Sequence, residues 1–488
     1  MQEPPTRLEA LAQLIGLREE NQRLREKTAR LEEENGRLKR ELWDLKQRFA
    51  ALEARLNQNS GNSSKPPSSD PPSVKLPPKK KPSGRRPGGQ PGHKGSCREL
   101  LPPDKVDAVE HHWPTSCKNC NRTLPTKGRV EVGEPVRHQV TEVPQVKAHV
   151  KEHQMHSQCC ETCGHATEAA FPEGVPTGAF GPRLQAVIAL FTGCYRVSKR
   201  TALSALGDLF GATLSLGSVS ASEQILSQAL EAPVIEAREY VERQAVVHAD
   251  ETSWPEHGKR AWLWIAAAPL VVTFLIHAKR GAVAARALLG AFAGILVTDR
   301  WSAYQGWSLK NRQICWAHLL RDFNFIAESK GAAAQIGNAL IRQTRQLFKK
   351  WYCVRDGTMS RARFQKAAEA IRVRVELLLK SGVACHAPKV SGMCREILDM
   401  EPAMWTFVHV DGVEPTNNFG ERNLRPSVLW RKGSFGTWSE AGSRFAERMM
   451  TVVATLKLQH RNVLDYLVHA SEAALLHQPA PSILPLTT

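Results

Sequence analysis

At 488 residues and a formal charge of +18, with a pI near 9.6, the chain has room for two or three domains and favours a polyanionic partner, nucleic acid first. The start, Met1-Gln-Glu-Pro-Pro, runs into charged heptads, so no signal peptide is expected; the longest apolar stretch, Ala261–Ala278, is split by Pro269 into two strand-sized halves, which argues against a membrane span. Eleven cysteines, two CxxC pairs among them, in a chain expected in the cytoplasm point to metal binding over disulfides.

Leucine recurs every seventh residue at Leu17, Leu24, Leu31, Leu38, Leu45 and Leu52. With these at d, the a positions are Leu14, Asn21, Thr28, Asn35, Leu42, Phe49 and Leu56. The pattern predicts a leucine-zipper coiled coil over residues 1–58, and Asn21 and Asn35 in the seam favour a parallel dimer in one register. The flanking pairs agree: Glu20–Arg25, Lys27–Glu32, Glu34–Lys39, Glu41–Lys46 and Arg48–Glu53 are all attractive across such a dimer.

Residues 59–98 change to Ser, Pro, Gly and Lys, with nine Lys or Arg against one Asp over 60–98. Such a segment cannot bury a core and is expected to be disordered when alone. An arm lying along DNA phosphates through Lys79, Lys80, Lys81, Arg85, Arg86 and Lys94 competes with a soluble spacer. The basic run follows the zipper and is broken by prolines, which excludes a basic-zipper transcription factor.

In residues 99–170, Cys117-Lys-Asn-Cys120 and Cys160-Glu-Thr-Cys163 fit a tetrahedral structural zinc, with Zn–S distances of about 2.3 Å. The strand-like alternation of Val130–Val150 is expected to bring the two knuckles together, and Cys159, His153, His156 and His165 are substitute ligands. Residues 171–243 read as helical: Arg183–Tyr195, Thr201–Phe210, a break at Gly211–Gly217, then one long helix to about Arg243. A helix-turn-helix DNA reader competes there with a plain helical connector.

From Gln244 the pattern turns to short, β-branched runs. One ends on Asp250 and a second on Asp299, 49 residues later. Between them lie an apolar hairpin (Trp262–Ala278) and a helix (Ala282–Gly290), and a further short strand follows in Arg312–His318. This order is analogous to the opening of a ribonuclease H-like fold. Residues 325–400 read as an α-helical insertion before a third acid, Glu421, in a core spanning 244–455; a helical segment and tail occupy 456–488.

Carboxylates at the ends of core strands are costly to desolvate without a partner, and a shared divalent metal is one. Asp, Asp and Glu around Mg²⁺ is an apparatus for in-line attack on a phosphodiester. Glu251 competes with Asp250 and Glu414 with Glu421, while a turn role competes at Asp299. Cys315 and His318 read as core packing or as a pair touching each other or a substrate. Arg425, Arg431 and Lys432 are candidate phosphate contacts.

The chain resembles the large, DDE-type subunit of insertion-sequence-66 family transposases. The resemblance is carried by Asn62-Ser-Ser-Lys-Pro-Pro-Ser-Ser-Asp70, Gly88-Gly-Gln-Pro-Gly-His-Lys-Gly95, the paired CxxC motifs and His248-Ala-Asp-Glu-Thr252. Asp299-Arg-Trp-Ser-Ala-Tyr304, Cys315-Trp-Ala-His318, Asn417-Asn-Phe-Gly-Glu-Arg422 and Arg431-Lys-Gly-Ser434 complete it, across nearly the whole chain. It departs at Thr416, where the family usually has Asp, at Gly420, usually Ala, and at Arg300, where Gly is common.

The resemblance implies Asp250, Asp299 and Glu421 as a catalytic triad holding Mg²⁺ (or Mn²⁺), beside a structural Zn²⁺. It implies cleavage at transposon ends and strand transfer into target DNA; a homodimer is expected from the heptads, and accessory transposition proteins and a nucleoid-associated cytoplasmic location are further expectations. A ribonuclease H-like nuclease without strand transfer and a catalytically inactive zinc-finger DNA-binding protein are the alternatives.

Overall fold

The structure, a computed structural model, describes residues 7–56, 95 and 98–485. The basic-arm residues Lys79, Lys80, Lys81, Arg85, Arg86 and Lys94 lie outside the described residues, as do the side chains of Leu14, Leu17 and Leu56. The chain divides into two compact units, residues 77–225 and residues 1–76 together with 226–488. It is a mixed α/β protein with a helical N-terminal region and a central sheet, and no described helix is long and apolar enough to cross a membrane.

The N-terminal segment forms one helix, α1 (Arg7–Leu56). Leu24, Leu31, Leu38, Leu45 and Leu52 are 51–63% exposed along it, so the apolar seam is open in the single chain. Its ion pairs run within the helix, Arg48 to Asp44 at 2.9 Å and Arg37 to Glu41 at 3.8 Å.

In the 77–225 unit a two-stranded antiparallel hairpin, β1 (Ser157–Cys159) with β2 (Ala166–Glu168), carries the second CxxC. Residues 130–150 form no strand, contrary to the expectation from their alternation. Their valines have no facing sheet to pair with or pack against, and Val130, Val132, Val136, Val140, Val143, Val146 and Val150 are all exposed. Three helices follow: α2 (Pro182–Ala189), which runs into one π-helical stretch, α3 (Lys199–Phe210) and α4 (Leu216–Ala229). Ser198 starts α3 by accepting the Thr201 N–H, and left-handed Gly211 stops it. Ile188, Leu206, Ala212 and Val219 form the small core.

The single long helix expected up to Arg243 is two. A separate helix, α5 (Glu231–Glu242), begins just after α4, because Pro233 has no N–H to give to the Ala229 carbonyl.

The central sheet contains β3 (Val246–Ser253), β4 (Trp262–Ala267) and β5 (Val272–His277), then, after helix α6 (Ala282–Leu289), β6 (Ile295–Thr298) and β7 (Arg312–Ile314). The order is β5-β4-β3-β6-β7, antiparallel on the hairpin side and parallel from β3 to β7. Two boundaries differ from the sequence reading. β3 continues three residues past Asp250 because β4 pairs it as far as Ser253, and β7 stops at Ile314, after which Cys315 caps a helix.

The insertion consists of α7 (Trp316–Ala327), α8 (Gly331–Arg355), α9 (Arg361–Val383) and α10 (Pro388–Asp399), packed around Phe323, Leu340, Trp351, Phe364 and Ile371. A short α11 (Thr406–His409) leads to α12 (Asn418–Ser434), α13 (Glu440–Leu458) and α14 (Val463–Leu475). α12 and α13 cover one face of the sheet, where Leu424, Ala446 and Met450 meet Leu263, Ile265, Phe274 and Ile276.

α13 also closes the β5 edge. Glu447, Thr451 and Thr455, spaced four apart on one helical face, accept the N–H groups of Ile276, Phe274 and Val272 at 2.9, 3.1 and 3.0 Å. The alternate backbone donors of an otherwise open edge strand are thereby satisfied.

Candidate active site

Register and pleat set the site. β3 and β6 are parallel, with His248 opposite Val297. The ladder ends there; continued two residues, its offset of 49 leads from Asp250 to Asp299, just past the end of β6, and the Asp299 charge acts on Asp250. Across the other edge Asp250 lies opposite Ile265 and Glu251 opposite Trp264. Ile265 belongs to the face that α12 and α13 cover, so Asp250 points toward α12 and Glu251 away from it.

Glu251 is committed on its own face. It accepts from Tyr304 Oη at 2.8 Å and pairs with Arg280 Nη2 at 3.0 Å. The Arg280 guanidinium is in turn stacked over Trp301 at 4.0 Å and Trp262 at 4.5 Å. Burial, the Asp299 charge opposite and these two donors act on Glu251 together, and its pKa is raised on balance.

Glu421 lies in the first turn of α12 and faces the start of α7. Among the described residues, Cys315, His318 and Glu421 bring one ligand atom each within 4.8 Å of one another. His318 Nδ1 sits 3.7 Å from Glu421 Oε1, and it is buried without a hydrogen-bond partner. Glu414 lines an adjoining cleft of about 370 Å³ together with His248, Asn418, Arg355 and Arg422.

Asn417 ties these pieces together. Its N–H donates to Cys315 Sγ at 3.1 Å, its Nδ2 to the Ala249 carbonyl at 2.8 Å, and its Oδ1 lies 3.0 Å from His248 Nδ1. With Nδ2 committed to Ala249, the side-chain oxygen is the acceptor, so His248 carries its proton on Nδ1. The Asn417 carbonyl then accepts the Glu421 N–H at 3.0 Å. Gly420 fits closely here, since a Cβ would approach Asn417 Oδ1 to 2.9 Å.

The electrostatics are those of an anionic cluster. Burial raises the Asp250 carboxyl well above the usual range, and the charges of Glu251, Asp299 and Glu421 add to this, while the Glu251 N–H at 2.9 Å opposes it. Glu421 is raised by burial and by Asp299, against Arg321. Burial holds His248 and His318 down to about 4 and pushes the Cys315 thiol up to about 12. Asp299 accepts the Trp301 N–H at 2.8 Å, and buried Arg312 donates to its carbonyl at 3.3 Å. Among the described residues the donor atoms that converge within 4.8 Å are those of Cys315, His318 and Glu421; Asp250 and Asp299 act on this set through charge and do not join it at that distance.

The remaining sequence-selected residues lie apart from this cluster. Arg431 is held by Thr252 Oγ1 at 2.8 Å and the Ser253 carbonyl at 2.6 Å, whereas Arg425 and Lys432 are exposed on α12. Arg300 pairs with Asp322 at 3.0 Å and Glu396 at 3.2 Å.

The two CxxC pairs form matching turns: Asn121 N–H donates to the Cys117 carbonyl at 2.9 Å, and Gly164 N–H to that of Cys160 at 2.8 Å. Asn121 and Gly164, each following the second cysteine, are left-handed at φ 55° and 70°. Backbone N–H groups of Cys120 and Asn119 lower the Cys117 thiol, and those of Cys163 and Thr162 lower Cys160. The described residues do not gather three of these four thiols within 4.8 Å of one another.

Sequence reasoning missed the Asn417–His248 link and the Glu251–Arg280–Tyr304 set. The first was signalled by parity, since residues two apart on a strand share a face. The second joins residues up to 53 apart through a fold that no local pattern announces.

A model described as "Transposase IS66 family" matches residues 178–445, a span that contains Asp250, Asp299 and Glu421. A model of a family of unknown function matches residues 8–99. An uncharacterized protein, y4qI, of Sinorhizobium fredii (strain NBRC 101917 / NGR234) is 30% identical over 250 residues, 45% of this chain and 46% of the relative. The chain thus spans about half the length of the curated relative it matches.

Proposed function

Because the chain belongs to the IS66 transposase family, we propose that it is a DDE-type DNA transposase that cleaves phosphodiesters at transposon ends and joins the freed 3′-OH to target DNA. The reading is supported above all by the charge that Asp299 and Glu421 exert on buried Asp250, at the end where the β3–β6 ladder closes on His248 and Val297. The sheet order, with its hairpin and two parallel strands, supports a ribonuclease H-like core. In cleavage, water forms a new P–O bond and the 3′ oxygen leaves; in joining, that 3′-OH attacks a target phosphate. Each step exchanges one P–O bond for another, so no ATP is required, in keeping with the lack of a GxxxxGK[ST] loop.

Asp250, Asp299 and Glu421 would hold Mg²⁺ or Mn²⁺, which supplies acidification of a bound water and neutralisation of charge on the phosphate. Asn417 fixes the first turn of α12, and with it Glu421, against β3 and the Cys315 turn. Neutral His318, with its Nδ1 beside Glu421, offers a further ligand or a proton acceptor at that atom. Arg280 and Tyr304 keep the neighbouring Glu251 on the opposite face, so it does not compete with Asp250.

Ahead of this core, α1 would pair with a second copy through its open leucine seam, and Cys117, Cys120, Cys160 and Cys163 would hold a structural zinc. The basic arm, Arg425 and Lys432 would contact DNA phosphates. Mg²⁺-dependent joining of a labelled transposon end into plasmid tests the proposal. Joining by the wild type and its loss in Asp250→Asn, with DNA binding kept, is expected. Cutting without joining would make the chain a nuclease, and binding alone would make it a scaffold.

A further inference from the structure

We propose that Phe435 and Trp438, on the loop between α12 and α13, form a stacking platform for an unpaired nucleobase of the DNA. The inference rests on the DNA-processing reading above and assigns residues outside the carboxylate cluster.

Phe435 is 78% exposed and Trp438 74%, yet the loop that carries them is fixed. Thr437 N–H donates to the Pro255 carbonyl at 3.0 Å, His257 N–H to the Thr437 carbonyl at 2.7 Å, and Trp254 Nε1 to Thr437 Oγ1 at 3.1 Å. His257 Nδ1 also lies 2.9 Å from the Trp438 carbonyl. Gly436, at φ 98°, is pressed so close to Pro255 that a Cβ would collide with its carbonyl. The tip joining β3 to β4 and the α12–α13 loop thus form one rigid protrusion.

Phe435 itself is left-handed, at φ 59°. A bulky aromatic residue is disfavoured there, and Gly or Asn would hold the same turn with less strain. The ring therefore serves neither the turn nor the core. Trp438 meets the His257 ring edge-on at 6.4 Å and is otherwise open.

Position and charge select the ligand. The tip leaves the same strand as Asp250; five residues of chain to Pro255 span at most about 17 Å, or about five nucleotides of one strand. Lys259 and Arg260 are exposed in the β3–β4 tip, Arg260 over the Trp262 ring at 5.6 Å, and Lys432 is exposed in the last turn of α12 next to Arg431, which the Ser253 carbonyl holds, against Glu256 and Glu440. Exposed rings amid an excess of cations suit a base still attached to its phosphates. A second copy of the same positive tip would be repelled.

The test uses the full chain with a 2-aminopurine-labelled 20-nucleotide single strand and its fully paired duplex. Wild type should bind the single strand and quench its fluorescence. Trp438→Ala and Phe435→Asn should each weaken single-strand binding roughly 5- to 150-fold, with duplex affinity changed less than twofold. Trp438→Phe should recover most of the loss, and Phe435→Asn should melt no lower than wild type, since Asn suits the left-handed turn. Variants that bind the single strand like wild type overturn the platform alone. So does equal weakening on both probes, or loss of self-association in sedimentation, which would assign the tip to a second copy. Wild type that binds neither probe removes the DNA-processing reading as well.

Discussion

Replacing Asn417 by alanine tests whether one buried amide holds the two halves of the site together. The side chain is 1% exposed and serves Ala249 and His248 at 2.8 and 3.0 Å. Truncation leaves a buried carbonyl and a buried Nδ1–H without partners, and water has little room to replace them. At about 1–3 kcal/mol for each unsatisfied group, the loss is about 2–4 kcal/mol once the structure relaxes. The same change frees the turn that presents Glu421, and a misplacement of about 1 Å costs on the order of 100-fold in rate. Urea unfolding should therefore show a lower midpoint at unchanged slope, and Mg²⁺-dependent end cleavage should fall by about 100-fold while DNA affinity holds. Stability within about 0.5 kcal/mol of wild type would refute the bridging role, whatever happened to activity.

Thr451→Val, nearly isosteric, orphans the Phe274 N–H on the β5 edge and should destabilise by about 1–3 kcal/mol in urea titration; no measurable change would mean that the α13 stripe does not secure this edge. His318, held down to about 4, makes the native chain bind fewer protons than the unfolded chain below pH 6.5, so its contribution is present above that pH and is lost as pH falls toward 4. This amounts to at most about 3 kcal/mol. The raised carboxylates Asp250, Glu251 and Glu421 run the opposite way, so the difference between wild type and His318→Gln between pH 7 and 4.5 is the clean measurement; a pH-independent difference rejects the assignment. Purified protein should contain about one zinc per chain and lose it in Cys160→Ser, and chelation should expose residues 99–170 to protease; a metal-free preparation with the same protection would dismiss the zinc.

Much of the core was legible because its signals are local. Short β-branched runs, Pro269 in the hairpin turn and Gly290 after α6 mark elements whose boundaries need no partner. What depends on partners was not legible. The valines of 130–150 alternate like a strand, but alternation is necessary and not sufficient, since a ladder needs a second chain segment. β3 outran its hydrophobic run because pairing with β4 extends through Asp250, Glu251, Thr252 and Ser253, of which only Thr252 favours a strand by itself. The break before α5 was readable from Pro233, yet the helical periodicity on both sides of it masked the interruption.

The choice between neighbouring carboxylates shows where sequence and structure divide the work. Asp250 and Glu251 are chemically near-equivalent and adjacent, so composition cannot rank them. Pleating can, because consecutive side chains must take opposite faces. The face that holds His248 receives Asn417 and, one turn later on α12, Glu421; the other receives Arg280 and Tyr304, which occupy both oxygens of Glu251. Glu414 and Glu421 differ in their surroundings: seven residues apart, one precedes α12 and lines a cleft with His248 and Arg422, the other sits in the first turn and meets His318. A carboxylate with its own donors has little left for a cation, whereas Asp250, raised by burial and then by the charges of Glu251, Asp299 and Glu421, gains from one. Asp250→Asn should accordingly stabilise the metal-free protein while abolishing cleavage, a pairing that a purely structural aspartate would not give.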